Sequence, residues 1–332
     1  MLLCPAAAIS YEPDFTPTSK AVYLENLDTG LILYEKNADE KMYPASLTKI
    51  MTAIVVLENV KDLEGETAEY PMWIQNMLYG TNASLGGLIV GEELTIRQLL
   101  TSALVQSGNE SAMILAGYVG SGGMADFMPR DITTFVEMMN DKAKALGCTG
   151  THFTNPTGLH SDNTYTTARD MAIMAKYAMQ KSVFSSIVKN YAVQLGQTNK
   201  HADLWQYSTN KMLLTSSPYY YAPVVGIKTG STDEAGRCVI SQAEDSGYHY
   251  FCVVMGSPVT AAEPYQNFIE TRQLYRWAFG NFSLRTLLEQ GELMAEVPVK
   301  YSGDGKVAKL AIKEDVVQLL RDDISLDSII YK

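Results

Sequence analysis

Three short clusters in this sequence carry side chains able to make and break an acyl bond: Ser46-Leu47-Thr48-Lys49, Ser107-Gly108-Asn109 and Lys228-Thr229-Gly230. A serine hydroxyl becomes nucleophilic when a base takes its proton, and a lysine held neutral can be that base. The spacing puts Ser46 and Lys49 on one helix face, within reach of each other. At a helix start, the serine also lies beside unpaired backbone N–H groups and the positive end of the dipole. Burial and a second cation both push a lysine towards neutrality, and Lys228 is the candidate for that cation. Ser107 can relay a proton, and the Asn109 amide can hold a substrate peptide group. Lys228 and Thr229 offer a charge and a hydroxyl to a carboxylate, and Gly230 lets substrate backbone lie close. The backbone N–H groups of Ser46 and Ser231 then suit an oxyanion hole. Taken singly, each cluster reads as a helix cap or a turn. Three in this order, each supplying a role the others lack, point to serine acyl transfer.

The elements that must position these residues follow from periodicity. Two apolar runs between Ala21 and Lys36 flank Asp28-Thr29-Gly30, a hairpin pattern. Ile50, Ile54 and Leu57 recur at helical spacing, so a helix should begin near Ser46. Residues 64–90 read as irregular, with helices over 94–105, 109–118, 132–146 and 167–180. Ser107-Gly108-Asn109 then falls in a turn. Thr167-Ala168-Arg169-Asp170 reads as a helix cap rather than a catalytic group. Strands are expected at 223–229, 236–243 and 248–255, and Pro264 to Phe279 reads as an amphipathic helix closed by Gly280. Cys238 and Cys252 fall on consecutive strands near cross-strand register, and two buried free thiols are favoured over a bridge. Strands bracketing a helical middle give an α+β domain, an antiparallel sheet with helices packed on it. After residue 283, Val- and Lys-rich alternation suggests a small β-rich unit.

Composition narrows the function further. With 332 residues, about two domains are expected. The 26 Lys and Arg against 37 Asp and Glu leave a net charge of −11, ill suited to gripping phosphate backbones, so nucleic acid is not a partner. No apolar run approaches the length of a membrane span. The 4 cysteines and 4 histidines are scattered, with no C-x-x-C and no H-E-x-x-H, so neither a metal site nor a cofactor is expected. G-x-S-x-G and the nucleotide-binding glycine motifs are missing too. Met1 to Ala8 look like the tail of an export signal, with residues up to 19 as a lead-in. Arg237, on the strand after Gly230, is expected to form an outward salt bridge, with a carboxylate contact as its other reading.

The three clusters resemble those of the penicillin-recognising serine enzymes. The stretches Asn37 to Lys41, Tyr43 to Ala53, Thr167 to Ala172 and Gly226 to Gly230 resemble one branch more closely. That branch is the low-molecular-mass D-alanyl-D-alanine carboxypeptidases, and the likeness covers roughly residues 20–282. It implies a β-lactamase/transpeptidase-like fold with a helical subdomain, followed by an incomplete β-rich domain over 283–332. It implies an extracytoplasmic enzyme that removes the terminal D-alanine from peptidoglycan stem peptides through an acyl-enzyme on Ser46, with β-lactams as covalent inhibitors. Lys49 becomes the general base, Ser107 the proton relay, Asn109 a positioning group, and Lys228 with Thr229 the carboxylate holders. The stretch from Ser121 to Asp131 looks longer than the family's, and any membrane association would need a C-terminal segment not present in this sequence. A class A β-lactamase needs a loop glutamate, and residues 151–166 hold none. An endopeptidase uses the same motifs, and a silent cell-wall-binding protein is the non-enzymatic reading.

Overall fold

The computed structural model describes residues 12–299 and 307–329. At its centre is an antiparallel sheet of five strands in the order β2-β1-β9-β8-β7. These are β1 (Ala21–Asn26), β2 (Ile32–Lys36), β7 (Val224–Thr232), β8 (Gly236–Asp245) and β9 (Tyr248–Ser257). Period-two alternation divides the side chains between two cores. Along β9, Phe251, Val253 and Met255 face one core while Tyr250, Cys252 and Val254 face the other. All six are fully buried, so this strand has no solvent face. The predicted α+β architecture is the one found.

The first core is closed by α1 (Lys49–Asn59), α4 (Asn109–Gly120), α5 (Pro129–Ala145), α6 (Ala168–Met179) and α7 (Ser182–Val188). Helix α8 (Gln266–Asn281) covers the opposite face with Phe268, Leu274, Tyr275 and Ala278. Thr167 caps α6 by accepting from Asp170 N at 3.0 Å. The Asp170 carboxylate accepts instead from Gly150 N and Thr151 Oγ1, at 2.8 and 2.7 Å. Both residues are structural, as expected.

Three expectations need correction. The helix read over 94–105 begins as β4 (Glu93–Thr95), continues as α3 (Ile96–Thr101) and widens into a π turn over Ser102–Gln106. Thr95 and Gln98 form the capping box that sets the true start. Residues 64–90 are not wholly irregular: β3 (Thr67–Glu69) pairs with β4, and α2 (Met72–Leu78) follows Pro71. Only Ile74 and Leu78 of α2 are buried, too faint an apolar stripe to read in sequence. Cys238 and Cys252 are free thiols as favoured, but they are not cross-strand neighbours. Cys252 pairs with Ser241 and Cys238 with Gly230, and the two thiols face opposite cores.

A short ribbon, β5 (Ala192–Gln194) with β6 (Trp205–Tyr207), borders the open end of the sheet. Beyond α8 the described chain consists of strands and one 3₁₀ turn. There β10 (Phe282–Leu288) pairs with β13 (Val316–Arg321), and β11 (Leu293–Pro298) pairs with β12 (Val307–Ala311). Phe282 and Leu319 tie this region to the core under α8. The export-signal reading of Met1 to Ala8 lies outside the described residues.

Candidate active site

Ser46 sits in a 3₁₀ turn, Ala45–Thr48, and Lys49 is the first residue of α1. Leu47 and Ile50 are fully buried in the core, which leaves Ser46 on the open side of the turn. Ala45 holds φ at +47°, a left-handed conformation that costs a non-glycine residue roughly 1–3 kcal/mol. Contacts on two sides hold it there. A Cβ on Gly230 of β7 would lie 2.9 Å from Pro44 O and 3.1 Å from Ser46 N. A Cβ on Gly158 would lie 1.8 Å from Ala45 O. Gly230 was expected to admit substrate backbone; what presses against it is the turn that carries Ser46.

Lys49 is fully buried, and its Nζ has three neighbours. They are Thr157 O at 2.7 Å, Asn109 Oδ1 at 2.9 Å and Ser46 Oγ at 3.1 Å. The Thr157 carbonyl can only accept. Asn109 Nδ2 donates to Ser84 O at 2.9 Å, which fixes Oδ1 as the acceptor for Lys49. A neutral amine satisfying both carbonyl oxygens has one lone pair left, and its third neighbour is the serine hydroxyl. Burial first, and then the Lys228 charge, hold Lys49 well below the ordinary lysine range, with Glu110 opposing them. The lowered pKa and the geometry point the same way, towards an amine with its lone pair beside the Ser46 hydroxyl.

Asn109, at the start of α4, was expected to present its amide to substrate. Both ends are instead bonded within the protein, to Lys49 and Ser84. Ser107 precedes it in a left-handed conformation, φ +65°, between the π turn and α4, and lines the cleft. On β7, Lys228 is 1% exposed and its Nζ donates to Thr229 O at 3.0 Å. Burial lowers its pKa to about 7. It lies behind the cleft wall, not on it. Thr229, Gly230 and Ser231 do form the wall, and the Thr229 hydroxyl lies 2.5 Å from that of Thr209.

These residues surround a cleft of about 370 Å³, further lined by Ser84, Tyr191, Lys211, Arg237, Tyr265 and Asn267, among others. Among the described residues Arg237 forms no outward salt bridge: its Nε is buried without a partner and its guanidinium lies 5.0 Å from the centre of the Tyr265 ring. Sequence reasoning missed the Thr157 loop altogether. Its turn is built on Asn155 Oδ1, which accepts from Thr157 N at 3.1 Å and Gly158 N at 2.7 Å. Asn155-Pro156-Thr157-Gly158 is a turn pattern that could have marked it. Among the described residues no cluster of His, Cys, Asp and Glu could hold a metal ion.

Residues 8–259 match the sequence model of the peptidase S11 family, D-alanyl-D-alanine carboxypeptidase. The chain belongs to this family. The D-alanyl-D-alanine carboxypeptidase DacF of Bacillus subtilis is 31% identical over 302 residues, covering 90% of this chain and 71% of the relative. DacA of Escherichia coli is 28% identical over 312 residues, covering 90% and 70%. Among solved structures, the Streptomyces K15 DD-transpeptidase superposes with a TM-score of 0.72 at 30% identity, covering 80% of this chain and 98% of that one. PBP3 of Streptococcus pneumoniae, described as a peptidoglycan synthesis regulatory factor, gives 0.74 at 26% identity, covering 94% and 85%. This S11 peptidase thus presents its serine, lysine and β7 wall on the fold shared by those DD-peptidases.

Proposed function

We propose that this chain is a serine-type D-Ala-D-Ala carboxypeptidase, removing the terminal D-alanine from peptidoglycan stem peptides through an acyl-enzyme on Ser46. The observation that carries the reading is the Lys49 amine, desolvated, bonded to two carbonyl oxygens and 3.1 Å from the Ser46 hydroxyl. In acylation, the Ser46 proton passes to Lys49 Nζ as Oγ bonds to the scissile carbonyl carbon. The Ser46 and Ser231 N–H groups receive the oxyanion. As the C–N bond breaks, the proton returns through Ser107 to the departing D-alanine nitrogen. Water then attacks the ester, giving its proton to Lys49, and Ser46 Oγ leaves and recovers a proton. Asn109 holds Lys49 in line, and the terminal carboxylate lies at the Thr229 hydroxyl with the Lys228 charge behind it.

Ser46, Lys49, Ser107, Asn109 and the Lys228–Ser231 stretch all fall within residues 20–282. A β-lactam ring offers the same amide and carboxylate, so penicillin should acylate Ser46. Peptidoglycan lies outside the cytoplasmic membrane, and we infer an extracytoplasmic enzyme. Among the described residues no helix is long and apolar enough to cross a membrane. The test is release of D-alanine from diacetyl-L-lysyl-D-alanyl-D-alanine, with Ser46→Ala as control. Release by the wild type and none by the variant is expected. Undiminished release by Ser46→Ala, or penicillin labelling of the wild type without any release, would overturn the reading.

A further inference from the structure

Behind the Ser46–Lys49 pair lies a buried carboxylate. Glu110, the second residue of α4, is 1% exposed. Its Oε1 accepts from Gly86 N at 2.6 Å and from Leu88 N at 3.5 Å, which fastens residues 86–88 to α4. Two residues before Gly86, Ser84 O accepts from both Asn109 N and Asn109 Nδ2, each at 2.9 Å. Asn109 Oδ1 in turn accepts from Lys49 Nζ at 2.9 Å. A bonded path therefore runs from Glu110 through the 84–88 loop and Asn109 to Lys49. Gln206 holds the same loop from β6, its Nε2 donating to Gly86 O at 2.9 Å.

Holding a loop does not call for a charge. Among the described residues Glu110 Oε2 is buried without a hydrogen-bond partner, and so is Gln206 Oε1. A Cβ on Gly86 would lie 3.3 Å from Gln206 Oε1 and 3.4 Å from Glu110 Oε1, so the two side chains crowd one spot. Gln206 cannot relieve this by turning over, because its Nε2 is held by Gly86 O, which only accepts. A glutamine at 110 would keep an oxygen on Gly86 N and bring the donor this spot lacks. The carboxylate thus carries a desolvation cost that the loop does not require. Burial raises its pKa, against the pull of nearby backbone N–H groups and of the Lys49 charge. The charged groups acting on Lys49 are Lys228 from β7 and Glu110 from α4, opposite in sign. Besides Lys49, Tyr70 faces Glu110; burial and then that carboxylate push its pKa up to about 12, so it stays neutral.

We propose that Glu110 is a positioning residue for the Ser46–Lys49 pair: it fastens the loop that aims Asn109 at Lys49, and its negative charge stabilises the ammonium formed when Lys49 takes the serine proton. The proposal rests on Lys49 being the base and sets a counterweight against Lys228. One charge keeps the resting amine free of a proton, and the other lets it accept one. The experiment follows acylation by excess benzylpenicillin across the pH range. With penicillin in excess the reaction is first order in time, so a reduced amount of folded protein leaves its rate constant unchanged. Glu110→Gln keeps an acceptor for Gly86 N and removes the charge. It should move the acid limb of the profile down by about 1 pH unit, the low end for a neighbouring opposite charge. Glu110→Asp keeps the charge but falls short of Gly86. It should slow acylation about tenfold at every pH, through a misplaced base, and leave the acid limb where the wild type has it.

A merely structural glutamate would slow the variants without moving the acid limb of Glu110→Gln. An acid limb that stays in place or moves up in that variant overturns the proposal. So does a Glu110→Asp enzyme within about threefold of the wild-type rate, a difference too small for a displaced base. The second result stands even where the Gln variant fails to fold. Failure of the base assignment looks different, because Lys49→Arg then acylates at the wild-type rate whatever residue stands at 110.

Discussion

Gly230→Ala is the most direct probe of how β7 sets the nucleophile. The added Cβ would stand 2.9 Å from Pro44 O, 3.1 Å from Ser46 N and 3.2 Å from Ala45 Cβ. The first two are backbone atoms, which cannot swing aside as the end of a side chain would. The turn cannot retreat, because Leu47 and Ile50 are fully buried and Ala45 O already abuts Gly158. Strand β7 is paired along its length with β8. Restoring ordinary contact to Pro44 O needs a separation of roughly 0.5 Å, taken up between turn and strand. A displacement of about 1 Å at a reacting group can cost a hundredfold in rate, so about half of that should cost ten- to thirtyfold. In barrier height this is about 1.4–2 kcal/mol. Overpacking should also lower stability by about 1–3 kcal/mol. The position has an ordinary φ, so the effect arises from contact and not from backbone strain.

The assay is the second-order rate of penicillin acylation, followed by intact mass, beside a thermal melt of the same preparation. Acylation within threefold of wild type, in a protein that melts normally, would refute the claim that Gly230 positions the serine.

Other expectations follow from the same geometry. Lys49→Arg should lose about 10²–10⁴-fold in acylation, because guanidinium keeps its proton at working pH; near-native rates would remove lysine from the role of base. The penicilloyl-enzyme should outlast the peptidyl one by orders of magnitude, since the tethered leaving amine blocks water and residues 151–166 offer no glutamate. Washing out fluorescent penicillin and timing loss of label decides it, and rapid repeated turnover would favour a β-lactamase. Folding stability should rise as pH is taken from about 7 to about 8.5, below the range where unfolded cysteine thiols ionise, because over that window unfolded Lys228 still binds a proton that the folded form has released. Lys49, also lowered, adds in the same direction. Denaturation midpoints that fall through this window would contradict the buried-lysine picture.

Sequence made the elements of the candidate site legible because their signals are local. The Ser46–Lys49 spacing, the turn at Ser107-Gly108-Asn109 and the strand ending in Lys228-Thr229-Gly230 are each written within a few residues. What they touch was not legible. Asn109 looked free for substrate until the structure showed Ser84, 25 residues away, holding its other end. Thr157 reaches Lys49 across 108 positions. Lys211, Arg237 and Tyr265 meet on one ring although they come from a 3₁₀ turn, a strand and the start of a helix. Such meetings depend on how the elements pack, and no window of sequence contains them. The π turn escaped for the opposite reason: its apolar spacing is that of an ordinary helix, and the extra residue per turn leaves no compositional mark.

The site is also held at a cost to the fold, which explains why its parts are so firmly tethered. Ala45 and Ser107 both occupy left-handed backbone, and Lys49 and Lys228 are buried amines with no carboxylate bonded to them among the described residues. For Lys228 alone, lowering the pKa from 10.5 to about 7 corresponds to about 5 kcal/mol of folding free energy forgone near neutral pH. A protein selected only for stability would place methionine at residue 228, of similar length and without the charge. Lys228→Met should therefore raise the melting temperature while lowering acylation at and below about pH 7, where Lys228 is charged and adds to the burial that holds Lys49 neutral. A base poised to take the serine proton and a maximally stable core make opposite demands on the same two lysines. The fold meets the first demand by spreading the second over the cores on either side of the sheet.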